Sequence, residues 1–421
     1  MGNSMLFFDP PPVVPMQSQP AAHQWVLAKV SPPAEWRPAE NVSEKPALPP
    51  VSSERLLQTF LELVQIPSPS GQEEKVRAYI LSRLQELGLS EQATVDSAGN
   101  LILKIPSNVK AQKTVLLTVH MDVVPPCEDI QPTVEGEGDV RVIRATGGTV
   151  LGGDDKAAIA ALLEALAVSL KHNLPRPNLI IPITVQEEIG GFGAAAIPPS
   201  EYRHADVAIA LDYNEPPGGV VYAAPQLTKF EATVNGHSAH SGFEPEKGAN
   251  AIRALTLAVS RFRQGRLDED TTANVGIIKG GKKFNIVSDQ AVAQGEVRSM
   301  SARRVDAELS AMKRKLDQAT RKVPGTSYVW NQTTVVKPYR TDLNLPVFLP
   351  LKRATAEADL AWKPTTTNGG SDVNIFAQSG VPSVVLSGAY YNPHQSDEYV
   401  KLQDMKTLAQ LLLRIFENYA Q

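Results

Sequence analysis

Acidic and histidine side chains gather at five places in this chain, three of them at the ends of short apolar runs. His120-Met121-Asp122 ends the run Thr114–Val119, Gln186-Glu187-Glu188 ends Leu179–Val185, and Asp212 ends Val207–Leu211. Gly152-Gly153-Asp154-Asp155-Lys156 opens an alanine- and leucine-rich stretch, and Asn392-Pro393-His394 supplies a late imidazole. Short apolar runs read as buried strands, and in an open α/β sheet the carboxyl ends of strands line the crevice where ligands bind. Residues i and i+2 of a strand face the same side, so Asp122 can hold the ring of His120 in orientation. Adjacent Glu187 and Glu188 would repel each other and be costly to desolvate. A cation on one of them removes that objection and leaves the other free to take a proton from water. A carboxylate in the glycine turn at Asp154 can bridge two cations, although acidic residues also favour a plain helix start. Singly, His120, Asp154, Asp212 and His394 have ordinary readings as surface, capping or turn residues. Together, two imidazoles and three carboxylates, one of them bridging, would hold two divalent ions and activate a water. Nitrogen and oxygen donors without cysteine suit zinc first, then cobalt or manganese.

The elements that must position these residues follow from hydrophobic period. Helical periods run through Arg55–Gln65 and Glu73–Leu87, and a long helix is expected after Asp155. Alternation of short apolar strands with helices predicts a mostly parallel sheet covered by helices on both faces. Near Pro225 the texture changes. Phe230–Val234 alternates, a helix is expected over Ala249–Arg263, strands over Val275–Ile278 and Val292–Val297, and a charged helix over Ala302–Lys322. These read as a small α+β unit inserted into the larger domain. The first texture resumes with Ser383–Ser387 and an amphipathic helix at Leu402–Tyr419. The expected division is therefore a tail at residues 1–51, a main domain at 52–225 and 337–421, and an inserted lid or dimerisation domain at 226–336.

Bulk properties exclude several classes. With 42% hydrophobic and 20% charged residues over 421 positions, the chain has the balance of a globular protein with a sizeable core. A formal net charge of -4 leaves no footprint for nucleic acid or an anionic membrane. The single cysteine, Cys127, permits no internal disulfide, and no apolar run is long enough to cross a bilayer. No basic stretch followed by an apolar core marks a secretory signal, so the cytoplasm is the expected compartment. Eleven of the 33 prolines fall in residues 1–50, which predicts an extended or disordered tail there, or a true start at Met5 or Met16.

The motifs HMD, LGGDDKA, QEEIG, ALD and NPH, in this order, resemble the peptidase T branch of the dizinc aminoacylase/carboxypeptidase metallopeptidase family. Gly236-His237-Ser238-Ala239-His240-Ser241-Gly242, Asn274-Val275-Gly276, Gly280-Gly281, Asn285, Arg298-Ser299 and Gly369-Gly370-Ser371-Asp372 extend the resemblance from about residue 52 to the end. It implies that His120 and Asp212 hold one ion, Glu188 and His394 the other, and Asp154 bridges them. Glu187 is implied as general base and Asp122 as the orienting partner of His120. His240 is implied as an oxyanion donor reaching in from the partner subunit of a homodimer, with Asn274 and Arg298 holding substrate. The implied activity is hydrolysis of short peptides, of the aminopeptidase and tripeptidase type. An N-acyl amino acid amidohydrolase or a dipeptidase with the same metal chemistry is the alternative. A related aminopeptidase group carries its extra domain between its His-x-Asp and Asp-Asp elements; here only the 33 residues 121–153 lie there, too few for a domain. A metal- or peptide-binding protein without catalysis would have no use for Glu187. The loop Tyr213-Asn214-Glu215-Pro216-Pro217 departs from the glycines that peptidase T relatives often carry there.

Overall fold

The computed structural model describes residues 47–110 and 113–421. The tail expected at residues 1–51 therefore lies mostly outside the described residues; within its last five, Leu48 packs against the core and Val51 is buried.

The run Thr114–His120 is buried along its whole length. Its residues alternate between two cores. Val115, Leu117 and Val119 face one hydrophobic cluster, while Leu116 joins the other. Val207, Ile209 and Leu211 divide from Ala208 and Ala210 in the same way. A strand apolar on both faces belongs inside a sheet covered twice, and this is where it lies. Four neighbouring strands run parallel: Asn178–Thr184, Thr114–His120, Val207–Tyr213 and Ser383–Ser387. Leu101–Ile105 and Gly219–Ala224 flank them antiparallel and complete the middle of a nine-stranded sheet. Helices Ser53–Val64, Gly153–Lys171 and Leu402–Tyr419 pack together on one face. Ser52 starts the first of them by accepting the N–H of Arg55 on its side chain.

Residues 226–336 build a second, antiparallel sheet in the order Gly265–Asp268, Thr271–Gly280, Gln290–Ser299, Gln226–Asn235, Ser327–Val336. Helices Ala251–Val259 and Ala302–Lys322 pack on one face over a separate cluster of Phe230, Ala232, Val234, Ala293 and Val297. Phe230 stacks on Trp330 there with ring centroids 5.0 Å apart. Cross-strand alternation turns Lys229, Glu231, Glu296 and Arg298 to the opposite, polar face.

A third, four-stranded sheet lies beyond the two that the sequence pattern predicts. It joins Gln131–Glu135 and Val142–Thr146 to the late strands Tyr390–Tyr391 and Tyr399–Lys401. Its strands are two to five residues long and too short to show a period. It brings the segment around His394 against the turn that precedes Asp154. Among the described residues no helix is long and apolar enough to cross a membrane.

Candidate metal centre

The four acidic strand and helix ends and the late histidine loop meet at one place. His120 is buried, and its Nε2 lies 2.9 Å from Asp154 Oδ1 and 4.0 Å from Asp212 Oδ1. His394 reaches across from its loop, placing Nε2 3.0 Å from Glu188 Oε1 and 3.5 Å from Asp154 Oδ2. Asp154 thus stands between the two imidazoles. Two groups of potential ligands result, His120–Asp154–Glu188 and His120–Glu187–Asp212, each with one donor atom per residue within 4.8 Å of the others. A cavity of about 330 Å³ opens over them, lined by Asp154, Glu187, Glu188, Asp212 and His394 together with Tyr390. Tyr213 and Asn214 of the departing loop also line it.

The backbone around Glu187 is pinned from below. Glu73 Oε1 accepts the N–H of Gln186 at 3.0 Å, and Asp122 accepts those of Glu187 and Glu188 at 2.9 and 3.1 Å. Asn100 closes the turn by accepting from the N–H of Val185 and donating to the carbonyl of Gly193. A Cβ on Gly193 would sit 2.2 Å from the carbonyl oxygen of Val185, so only glycine permits this approach. Asp122 also faces His120 Nδ1, with its own carbonyl oxygen at 3.0 Å and Oδ1 at 3.5 Å. The nearer contact is the backbone one.

The turn before Asp154 hangs on another buried carboxylate. Glu398 accepts the N–H groups of Leu151 and Gly152 at 2.8 Å and that of Asp154 at 3.0 Å. A Cβ on Gly153 would meet Val400 at 2.7 Å and Glu398 at 3.1 Å, which explains the second glycine of the motif by packing against the late segment. Asp154 and Asp155 depart from helical φ/ψ, so the regular helix begins after Asp155, as its sequence suggested.

The charges fit a cation. Burial drives the carboxyls of Asp155, Glu187 and Asp212 well above the usual range, and neighbouring carboxylates add to it, Asp212 on Glu187 and Asp154 on Asp212. Burial works to raise Asp154 too, yet hydrogen bonds from His120 and His394 outweigh it and hold its carboxyl well below that range. Hydrogen bonds to Asp154 and Glu188 raise His394 to about 10. Oδ1 of Asp155 is buried without a hydrogen-bond partner. Without metal, protons on the two imidazoles offset only part of this concentrated negative charge. Nitrogen and oxygen donors crowded at the floor of a cavity suit one or more divalent ions.

The remaining expected site residues lie on the second sheet. His240 is exposed, and its Nδ1 accepts the N–H groups of Gly242 and Phe243 at 3.2 Å. Asn274 lines a separate cleft on the polar face of that sheet, beside Lys229 and Glu296. Arg298 binds Glu296 and also donates to the carbonyl of Asn368, a residue that lines the cavity over the cluster. The structure therefore brings seven of the ten expected residues together, attaches Arg298 to their rim, and leaves His240 and Asn274 off the cavity lining. Glu73, Tyr390 and Glu398 were missed because each acts on a residue more than a hundred positions away. No local pattern signals such a partner.

Fold and cluster define a mixed α/β protein with side chains gathered to hold divalent ions. The pattern of peptidase family M20/M25/M40 matches residues 116–418. The uncharacterized protein YqjE of Bacillus subtilis is 34% identical over 378 residues, covering 88% of this chain and all of that protein. A tripeptidase from Staphylococcus aureus superposes with a TM-score of 0.81 at 31% identity, covering 88% of this chain and 99% of the other. The aminopeptidase PepT of Bacillus cereus does so with a TM-score of 0.77 at 31% identity, covering 88% and 100%. The chain belongs to peptidase family M20/M25/M40 and is a metal-dependent peptide hydrolase.

Proposed function

We propose that this chain is an aminopeptidase of the tripeptidase type that binds two divalent ions and cleaves short peptides. The observation that carries the reading is Glu187. It belongs to one ligand group and lines the cavity, yet its carboxylate has no hydrogen-bond partner among the described residues. The likeness to a tripeptidase and an aminopeptidase over nearly their whole length supports the substrate class.

In this reading His120 and Asp212 would hold one ion and Glu188 and His394 the other, with Asp154 available to both. Zinc suits the donors best, with cobalt or manganese as substitutes. Bound there, the ions would polarise the scissile carbonyl and make a water more acidic. Glu187 takes the proton of that water and returns it to the leaving amine. Asp122 keeps Glu187 and His120 in place. Asn274 and Arg298 hold the distal part of the peptide, and residues 226–336 act as lid and dimer surface, with His240 serving the partner's site in a cytoplasmic homodimer.

Hydrolysis of free di-, tri- and tetrapeptides, N-blocked tripeptides and N-acyl amino acids by the purified protein tests this reading. Preference for free tripeptides is expected. Faster cleavage of N-acyl amino acids would make it an amidohydrolase, and preference for dipeptides a dipeptidase.

A further inference from the structure

The segment from Tyr390 to Glu398 touches the cluster three times. His394 supplies an imidazole directly. Tyr390, 2% exposed, donates its hydroxyl to Asp212 Oδ1 at 2.7 Å. That is the one hydrogen bond to the Asp212 carboxylate among the described residues. Glu398, 1% exposed, takes three backbone N–H groups of the Leu151–Asp154 turn. Strand pairing between Tyr390–Tyr391 and Tyr399–Lys401, and of the latter with Val142–Thr146, fixes the ends of this segment. Glu398 belongs to neither ligand group.

The two contacts differ in what they hold. Asp212 belongs to only one ligand group, whereas Asp154 stands between both imidazoles. A carboxylate fixed by a hydrogen bond reaches a cation without first losing rotamer freedom, and removing such a support typically costs about 10–100-fold in metal affinity. We propose that Tyr390 and Glu398 are positioning residues of different reach, Tyr390 acting on one ion site and Glu398 on both. Tyr390 fixes the carboxylate used by one ion, and Glu398 fixes the backbone of the residue shared by both. This rests on the two-ion reading above.

The test is a zinc titration of the chelator-stripped full chain against a chromophoric competitor, for wild type, Tyr390→Phe and Glu398→Gln. Wild type should show two tight sites. Tyr390→Phe should weaken one site by about 10–100-fold and leave the other unchanged. Raising the zinc concentration should then restore its kcat with little change in KM. Glu398→Gln should weaken both sites. Two wild-type affinities in Tyr390→Phe, or an equal loss at both sites, would overturn the proposal. Should Glu398→Gln fail to fold by circular dichroism, Tyr390→Phe alone decides. A wild-type protein that binds no zinc tightly sinks the two-ion reading itself and this inference with it.

Discussion

Asp122 Oδ1 accepts the backbone N–H of Glu187 at 2.9 Å, while its Oδ2 accepts that of Glu188 at 3.1 Å and the hydroxyl of Ser70 at 2.7 Å. One buried carboxylate therefore ties the loop carrying Glu187 to the strand end carrying His120. An amide at this position can accept through its single oxygen but presents a donor to the other N–H. Asp122→Asn should thus lower kcat by about 10–100-fold, the scale on which such supports act. Steady-state kinetics with a tripeptide would check this, and an unchanged kcat would show that the tie is dispensable.

The base role proposed for Glu187 can be separated from metal binding. In Glu187→Ala, metal content by atomic emission should hold near wild type while kcat falls by about 10²–10⁴-fold. Loss of one metal equivalent instead would exchange the roles of Glu187 and Glu188.

Chelation should abolish peptide hydrolysis, and zinc, cobalt or manganese should restore it. Hydrolysis at an unchanged rate by stripped protein would refute the metal centre as the site of chemistry.

The stripped protein should also respond to pH in a definite direction. Burial raises Asp155, Glu187 and Asp212, so the unfolded chain releases those protons at lower pH than the folded one and is favoured as pH rises. Hydrogen bonds to Asp154 and Glu188 raise His394 to about 10. Its contribution is full below the ordinary imidazole range and is lost as pH climbs through that raised value. Asp154 and Asp122 are lowered, and their contribution is already in place above the ordinary aspartate range. From about pH 5.5 to about pH 8 the net effect is loss of stability, which a bound cation reverses. Calorimetry should find Tm falling over that interval without metal, and zinc raising Tm more at the upper end. A flat or rising metal-free Tm would contradict this assignment of charges.

His240 offers a test of assembly. Glu187→Ala and His240→Ala should each be nearly inactive if His240 serves the opposite subunit. Random exchange between them makes half the dimers mixed, each with one whole site, so about a quarter of all sites should recover activity. Verified exchange without recovery would assign His240 to its own chain.

Much of this organisation was legible in sequence. The charged helix Ala302–Lys322, the strand Ser383–Ser387 and the closing helix Leu402–Tyr419 begin and end where their periodicity indicated. The helix expected over Ala249–Arg263 is shorter, Ala251–Val259, with Asn250 accepting from Arg253 N–H to start it. The strand Gly219–Ala224 was overlooked. It follows the Tyr213–Pro217 loop closely, and only pairing with Tyr339–Arg340, Lys363–Thr366 and Ser383–Ser387, all distant in sequence, gives it a place. The metal-centre residues could be found because their types are costly at buried strand ends. Glu73, Asn100, Tyr390 and Glu398 could not, because their cost is cancelled by partners that only the fold supplies.

The late sheet also sets an order of events during synthesis. Asp154 is made 240 residues before His394, and Glu398 follows later still. At roughly 5–20 residues per second, the growing chain carries the Asp154 turn for about 10–50 s before its far-side imidazole and carboxylate exist. During that interval the crowded acids have neither their second histidine nor the backbone clamp. On the two-ion reading, full affinity for metal is acquired only as the last few dozen residues dock, and a chain stalled short of them lacks His394 and Glu398 at the cluster.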